Sequence, residues 1–186
     1  MTNLIRPPAR EAIIEAGFTV LNRDPSASLA QVAELAGVGR ATLHRHFSSR
    51  KALIHALAEI AITEMDEVVE AASADVKSYG EALRVSLEVL IPLGNRYGFL
   101  ASDAIEYAPA LQKEYARQQR ETEEMVEGAK REELFDRAVP TAWIVQAFDY
   151  LLMAAWESVR AGDVTQAQAA DLAWQTLTCG LGRQQT

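Results

Sequence analysis

The chain is poor in the residues that staple or metallate a small domain. Its 186 residues include one cysteine, Cys179. One thiol cannot make an intrachain disulfide framework and suits a reducing compartment. Its neighbours are small residues at helical spacing, which predicts an inert buried thiol rather than a nucleophile. The three histidines, His44, His46 and His55, show no metal-ligand spacing, so no metal and no cofactor is expected. No Gly-rich phosphate loop is present. The most apolar stretch, residues 141–156, is too short for a membrane span and contains Gln146 and Asp149. The first residues, MTNLIRPP, hold no apolar run, so no secretory signal is expected. Alternating strand patterns, internal repeats and low-complexity tracts are also missing. These absences predict an all-α, soluble, cytoplasmic protein without membrane contact.

Charge is present but unevenly spread. The net charge of -8 argues at first against an anionic partner. Residues 1–55, however, hold seven Lys/Arg against four Asp/Glu, a net of +3, and all three histidines. The remainder holds 11 bases against 22 acids, a net of -11. That asymmetry fits a basic reading head on an acidic body.

Helical periodicity dominates the chain. A first helix is expected from about Pro8 to Asn22, with Pro7 and Pro8 suited to its start. Asp24-Pro25-Ser26 breaks the chain, and Ser28 is a natural N-cap for a second helix. Residues 29–47, LAQVAELAGVGRATLHRHF, then read as two short helices about a tight turn. Gly37 stands where a helix end wants a left-handed residue. Ala33 and Gly37 are small where crossing helices approach closely. A third helix spans about Gly39 to Phe47. Phe18, Leu21, Val32, Leu43 and Phe47 are the expected shared core. This is the helix-turn-helix pattern, whose second helix enters the DNA major groove.

The chemistry of that helix agrees. With Val38 and Leu43 facing inward, Arg40, Thr42, His44, Arg45 and His46 face outward. Arginine offers a fork of donors that matches guanine or phosphate. Arg50 and Lys51 open the next helix, and Ser28 and Gln31 start the second. These nine residues, Ser28, Gln31, Arg40, Thr42, His44, Arg45, His46, Arg50 and Lys51, are the expected contacts to duplex DNA.

The body begins with a long helix, about Arg50 to Ala72, whose apolar positions wander over more than one face. A helix of about Tyr79 to Ile91 follows, interrupted by Pro92 and Gly94, then a short piece at about Leu100 to Tyr107. From about Ala110 to Glu133 the chain is highly charged, with Arg117–Glu121 and Glu127–Arg131 spaced to pair. It reads as a solvated helix with no assigned function. Residues 141–156 are apolar nearly all round, so that helix is buried on more than one side. The last helix, about Val164 to Leu181, carries a large-residue stripe and a small-residue stripe (Ala169, Ala173, Thr176, Gly180). These two helices are expected to meet their symmetry mates in a four-helix homodimer interface. The alternative is a monomer with a tightly packed core.

At this point the chain resembles the tetracycline-repressor (TetR) family of bacterial transcription regulators. The resemblance is strongest over EAIIEAGFTVLNRDPSASLAQVAELAGVGRATLHRHFSSRKAL, residues 11–53. Val38, Thr42, Leu43, His46, Phe47 and Ser49 match the family pattern directly, and Arg50 conservatively. Gly39 stands where the family often has Ser, and His44 where Tyr is common. The resemblance implies an N-terminal three-helix DNA-binding domain, residues 1–48, and a C-terminal helical ligand-binding and dimerisation domain, residues 49–186. It further implies a homodimer on a palindromic double-stranded operator. An effector entering the body would shift the linker helix and separate the reading heads. Met65, Leu87, Tyr97, Tyr107, Met125, Trp143 and Phe148 are the candidates to line that cavity. Asp103, Glu106 and Asp149 sit among apolar residues; one facing the cavity would suit a cationic or hydrogen-bond-donating effector.

Two other functions compete. Catalysis needs convergent nucleophile, base and orienting groups, and none is visible. A homodimeric ligand-binding or scaffolding protein without operator binding would leave Arg40, Arg45 and Arg50 without a task. Salt-dependent affinity for DNA separates these readings.

Overall fold

A computed structural model describes residues 8–100 and 109–181. Every element in them is helical: α1 (Ala9–Arg23), α2 (Leu29–Leu35), α3 (Arg40–His46), α4 (Arg50–Ser73), α5 (Tyr79–Leu90), a single 3-10 turn (Ile91–Leu93), α6 (Gly94–Leu100), α7 (Pro109–Arg131), α8 (Thr141–Ala161) and α9 (Gln166–Leu181).

The first three helices form one small unit. Phe18, Leu21, Val32, Leu43 and Phe47 are all buried, as the spacing predicts. Ser28 caps α2 in a reciprocal box. Its Oγ accepts from the Gln31 N–H, while Gln31 Oε1 accepts from the Ser28 N–H at 2.8 Å. At the other end Gly37 takes φ 64°. The Val38 N–H bonds back to the Ala33 carbonyl and the Gly37 N–H to that of Glu34. This left-handed closure ends α2 in one residue and turns the chain directly into α3.

The long helix α4 starts on the Ser49 cap and runs beneath both parts of the molecule. Its buried residues, Leu53, Ile54, Leu57, Ala58, Ala61, Ile62 and Met65, pass from the reading head to the body. A long-range cap fixes α5: the Glu132 carboxylate accepts from the N–H groups of Tyr79 and Gly80, at 2.9 and 3.0 Å. Helices α8 and α9 pack antiparallel, with Gly162 at φ 81° closing α8.

Several expectations are refined or corrected. Pro92 does interrupt α5, which ends at Leu90, but the break is a single turn. Pro92 lies in the first positions of a 3-10 turn, where its missing N–H has no acceptor to lose, and α6 starts at once on Gly94. The helix expected beyond Leu100 lies outside the described residues. Glu127 does not pair with Arg131. It accepts from Thr141 Oγ1 and lies 3.9 Å from Lys130, while the Arg131 guanidinium sits 5.6 Å from the Tyr79 ring centre. Cys179 is exposed, because the buried side of α9 runs through Ala169, Ala170, Ala173 and Leu177 instead.

Candidate nucleic-acid interface and effector cavity

The candidate DNA-facing surface follows from where α3 hides its apolar side. Leu43 is 1% exposed and anchors the helix. On the opposite side Arg40, His44, Arg45 and His46 are exposed, and Thr42 is half-buried. Neither Arg40 nor Arg45 has an ion-pair partner among the described residues. Their donors therefore remain available to an anion or a base edge. Phe47 closes the helix beneath the Arg10 guanidinium, 5.9 Å from the ring centre.

The other expected contacts divide. Lys51 is exposed at the start of α4. Ser28 and Gln31 are exposed, with the Ser28 hydroxyl and Gln31 Oε1 engaged in the α2 cap. Arg50 is half-buried and bonded to the loop before α2. Its Nε donates to the Ala27 carbonyl at 3.1 Å and its Nη2 to the Pro25 carbonyl. A guanidinium that donates to two carbonyls of the loop before α2 ties that loop to the start of α4. The spacing of Arg50 to Lys51 could not reveal this, since the loop that claims it lies 23 to 25 residues away.

In the body, α4, α5, α7 and α8 enclose a cavity of about 100 Å³. Its lining includes Met65, Leu90, Met125 and Phe148, with Asp66, Glu121 and Asp149 as acids. Met65, Met125 and Phe148 thus stand where the sequence placed them. Leu87 does not reach the cavity; it is fully buried between helices, and its neighbours Ser86 and Leu90 face the space instead. Trp143 is 60% exposed on the far side of α8. An apolar helix with two buried-looking sides gives no sign of which one meets a cavity. The Tyr97 side chain, Tyr107, Asp103 and Glu106 lie outside the described residues.

The polar wall of the cavity contains the expected Arg117–Glu121 pair and Asp149, and adds Asp66, Glu114 and Gln118, which the sequence does not single out. Arg117 on α7 donates to Glu114 at 2.8 Å, to Glu121 at 2.7 Å, and to Asp66 across on α4. Gln118 Nε2 adds a 2.6 Å bond to Asp66. Hydrogen bonds to Glu114 and Glu121 hold the Arg117 pKa above its ordinary value; desolvation opposes them and Asp66 reinforces them. The recurrence of Gln118, Glu121, Thr122 and Met125 at helical spacing was the available signal. It was hidden in a charge run that resembles any solvated helix.

Among the described residues no group of three or more His, Cys, Asp or Glu is placed to hold a metal ion. No helix there is long and apolar enough to cross a membrane.

Comparison with known proteins places this geometry. Residues 9–57 match the family model for bacterial regulatory proteins, tetR family. The HTH-type transcriptional repressor LfrR of Mycolicibacterium smegmatis is 29% identical over 179 residues, covering 95% of this chain and 92% of the repressor. The crystal structure of LfrR from Mycobacterium smegmatis in complex with proflavine superposes with a TM-score of 0.75 at 28% identity, covering 95% of this chain and 97% of that one. A TetR-like transcriptional regulator from Rhodococcus sp. RHA1 shares the fold, with a TM-score of 0.70 at 18% identity over 96% of this chain and 98% of its own.

Proposed function

We propose that this chain, whose N-terminal helices belong to the tetR family of bacterial regulatory proteins, is a transcriptional repressor that a small-molecule effector releases from its operator. The observation that carries the reading is the split of α3: Leu43 buried on one side, Arg40, His44, Arg45 and His46 exposed on the other. A helix held by its apolar side and presenting cations outward is built to lie along an anionic groove.

The reading unit is residues 1–48 and the effector-binding and dimerisation body is residues 49–186. One copy of α3 reads too few base pairs for an operator. Two copies reach half-sites about 34–36 Å apart. The homodimer reading is supported by Trp143 and Tyr150 on α8 and Leu172 on α9, large apolar side chains 60%, 74% and 53% exposed on adjacent helices. The contacts to DNA are Arg40, Thr42, His44, Arg45, His46 and Lys51, with Arg50 acting indirectly through the loop before α2.

The effector is a cationic, largely apolar molecule. Asp66, Glu121 and Asp149 face the cavity between Met65, Leu90, Met125 and Phe148. Arg117 pairs with both Asp66 and Glu121, so one base faces three acids, and the negative excess inside an apolar space favours a delocalised cation. The proflavine bound by LfrR has that character. The cavity volume of about 100 Å³ is below the roughly 300 Å³ of a drug-sized site, so such a ligand must displace a wall. Displacement of α4 is the means by which binding in the body is felt by the reading head.

The test is a duplex titration across a salt series. Phosphate contacts release counterions, so the wild type loses affinity steeply with salt. Arg45→Ala is expected to weaken binding and flatten the salt slope by about one unit, with its melting curve unchanged. A wild-type protein indifferent to any duplex at low ionic strength would favour a homodimeric ligand-binding protein without an operator.

A further inference from the structure

We propose that Arg96 is the positioning residue that couples the effector cavity to the reading head, by tying Glu15 on α1 and Glu64 on α4 to one guanidinium on α6. This assignment rests on the effector-released reading given above.

The Arg96 side chain is only 10% exposed and all its nitrogens are used. Nε donates to Glu64 Oε2 at 2.7 Å. Nη1 donates to Glu15 Oε2 at 3.0 Å, and Nη2 to Glu15 Oε1. The bond to Glu15 is bidentate, the geometry that fixes orientation as well as distance. The Phe18 ring lies beneath the guanidinium, 4.4 Å from its carbon, and Phe18 in turn meets Phe99 edge to face. One helical turn further, Asn22 Nδ2 donates to the Asn95 carbonyl at 2.6 Å. Glu15, Phe18 and Asn22 are thus one face of α1, fastened along α6.

The same guanidinium is reached from the cavity by two routes. Glu64 is two residues from Asp66 on α4, and Asp66 is a wall of the cavity held by Arg117 and Gln118. On the other side, Ser86 and Leu90 line the cavity from α5, and only the turn Ile91–Leu93 separates them from α6. Any ligand that pushes α4 or α5 outward moves one end of the Arg96 network.

A buried cation cannot simply let go. Burial works against the Arg96 charge, and the hydrogen bonds to Glu15 and Glu64 more than offset it, raising its pKa above the ordinary value. Leaving the guanidinium without a carboxylate is costly, so the pairs move as a unit. When α4 shifts, α1 either follows or loses its bidentate partner. Both outcomes reorient the three-helix unit that α1 supports. The network is therefore a discrete link between two sites and not a passive surface pair.

Glu15→Gln removes one charge with little change of shape, and Arg96→Lys keeps the charge but loses the fork. Operator affinity of the full-length protein is measured with and without proflavine as probe, together with proflavine affinity in the absence of DNA. Both variants are expected to bind proflavine within about twofold of wild type, while the proflavine-dependent change in operator affinity falls by about fivefold or more. A change as large as that of wild type in both variants overturns the assignment. A wild type that proflavine does not release from DNA counts against the cationic-effector reading alone. The tie is then decided by hydrogen exchange without DNA. Glu15→Gln must speed exchange in residues 9–23 by about tenfold with α7 and α8 unchanged. Unchanged exchange in α1 overturns it.

Discussion

The indole of Trp156 packs directly against the backbone of Gly94. A Cβ at position 94 would collide with the indole ring of Trp156. Helix α6, which carries Arg96, is thereby seated directly on α8, the helix with the exposed Trp143 and Tyr150. The close approach is possible only because residue 94 has no side chain.

Gly94→Ala is accordingly expected to destabilise the protein by about 1–3 kcal/mol, the usual cost of forcing volume into a packed contact. Thermal unfolding measures it. A compensating Trp156→Leu replacement should recover part of the loss. An unchanged melting temperature for Gly94→Ala would show that α6 and α8 are less tightly apposed.

Leu43→Ala should cost about 2–5 kcal/mol, as truncation of a fully buried leucine does. The loss falls on the three-helix unit, so duplex binding disappears at temperatures where the body remains folded. Circular dichroism melting paired with a duplex titration separates the two effects. Full duplex binding by the variant would mean that α3 is not anchored through Leu43.

Arg50 and Lys51 are neighbours with opposite expected behaviour. Arg50→Ala removes the donors to the Ala27 and Pro25 carbonyls and should lower stability by about 1–3 kcal/mol. Lys51→Ala should leave the melting curve in place and weaken duplex affinity only. Equal effects of the two variants on affinity, with no effect on melting, would return Arg50 to the phosphate-binding set.

The loop before α2 has its own acid sensitivity. Hydrogen bonds from the Ser26 hydroxyl and then the Ser26 N–H hold the Asp24 carboxyl below its ordinary 3.8. The folded loop therefore prefers the carboxylate. Its contribution is present above pH 3.8 and is lost as pH falls through the lower folded value. Ser26→Ala should move the Asp24 titration back toward 3.8, as read by NMR. A titration unaffected by the substitution would assign the lowering to other groups.

Much of the reading head was legible because its determinants are local. Gly37 sits two residues past the end of α2, Ser28 and Gln31 are three apart, and Leu43 and Phe47 share a helical face. Such relationships are set by backbone geometry within a turn or two. Met65, Met125 and Phe148 were found for a weaker reason: large flexible apolar residues on separate helices tend to converge. Trp143 and Leu87 were misplaced by the same rule, since apolarity does not say which neighbour covers a side chain. Cys179 failed likewise, because a stripe of small residues has two edges and only packing selects the buried one.

The order of residues along the chain was thus sufficient for the all-helical class, the helix-turn-helix and the cationic outer side of α3. Each depends on neighbours within about one or two turns. Folding alone decided that Arg50 serves a loop, that Arg117 closes the cavity wall against Asp66, and that Arg96 joins Glu15 to Glu64. Those partners are 25, 51, 81 and 32 residues apart. Charge pairs at such separations leave no periodic trace in a sequence; they exist only where packed helices bring their faces together.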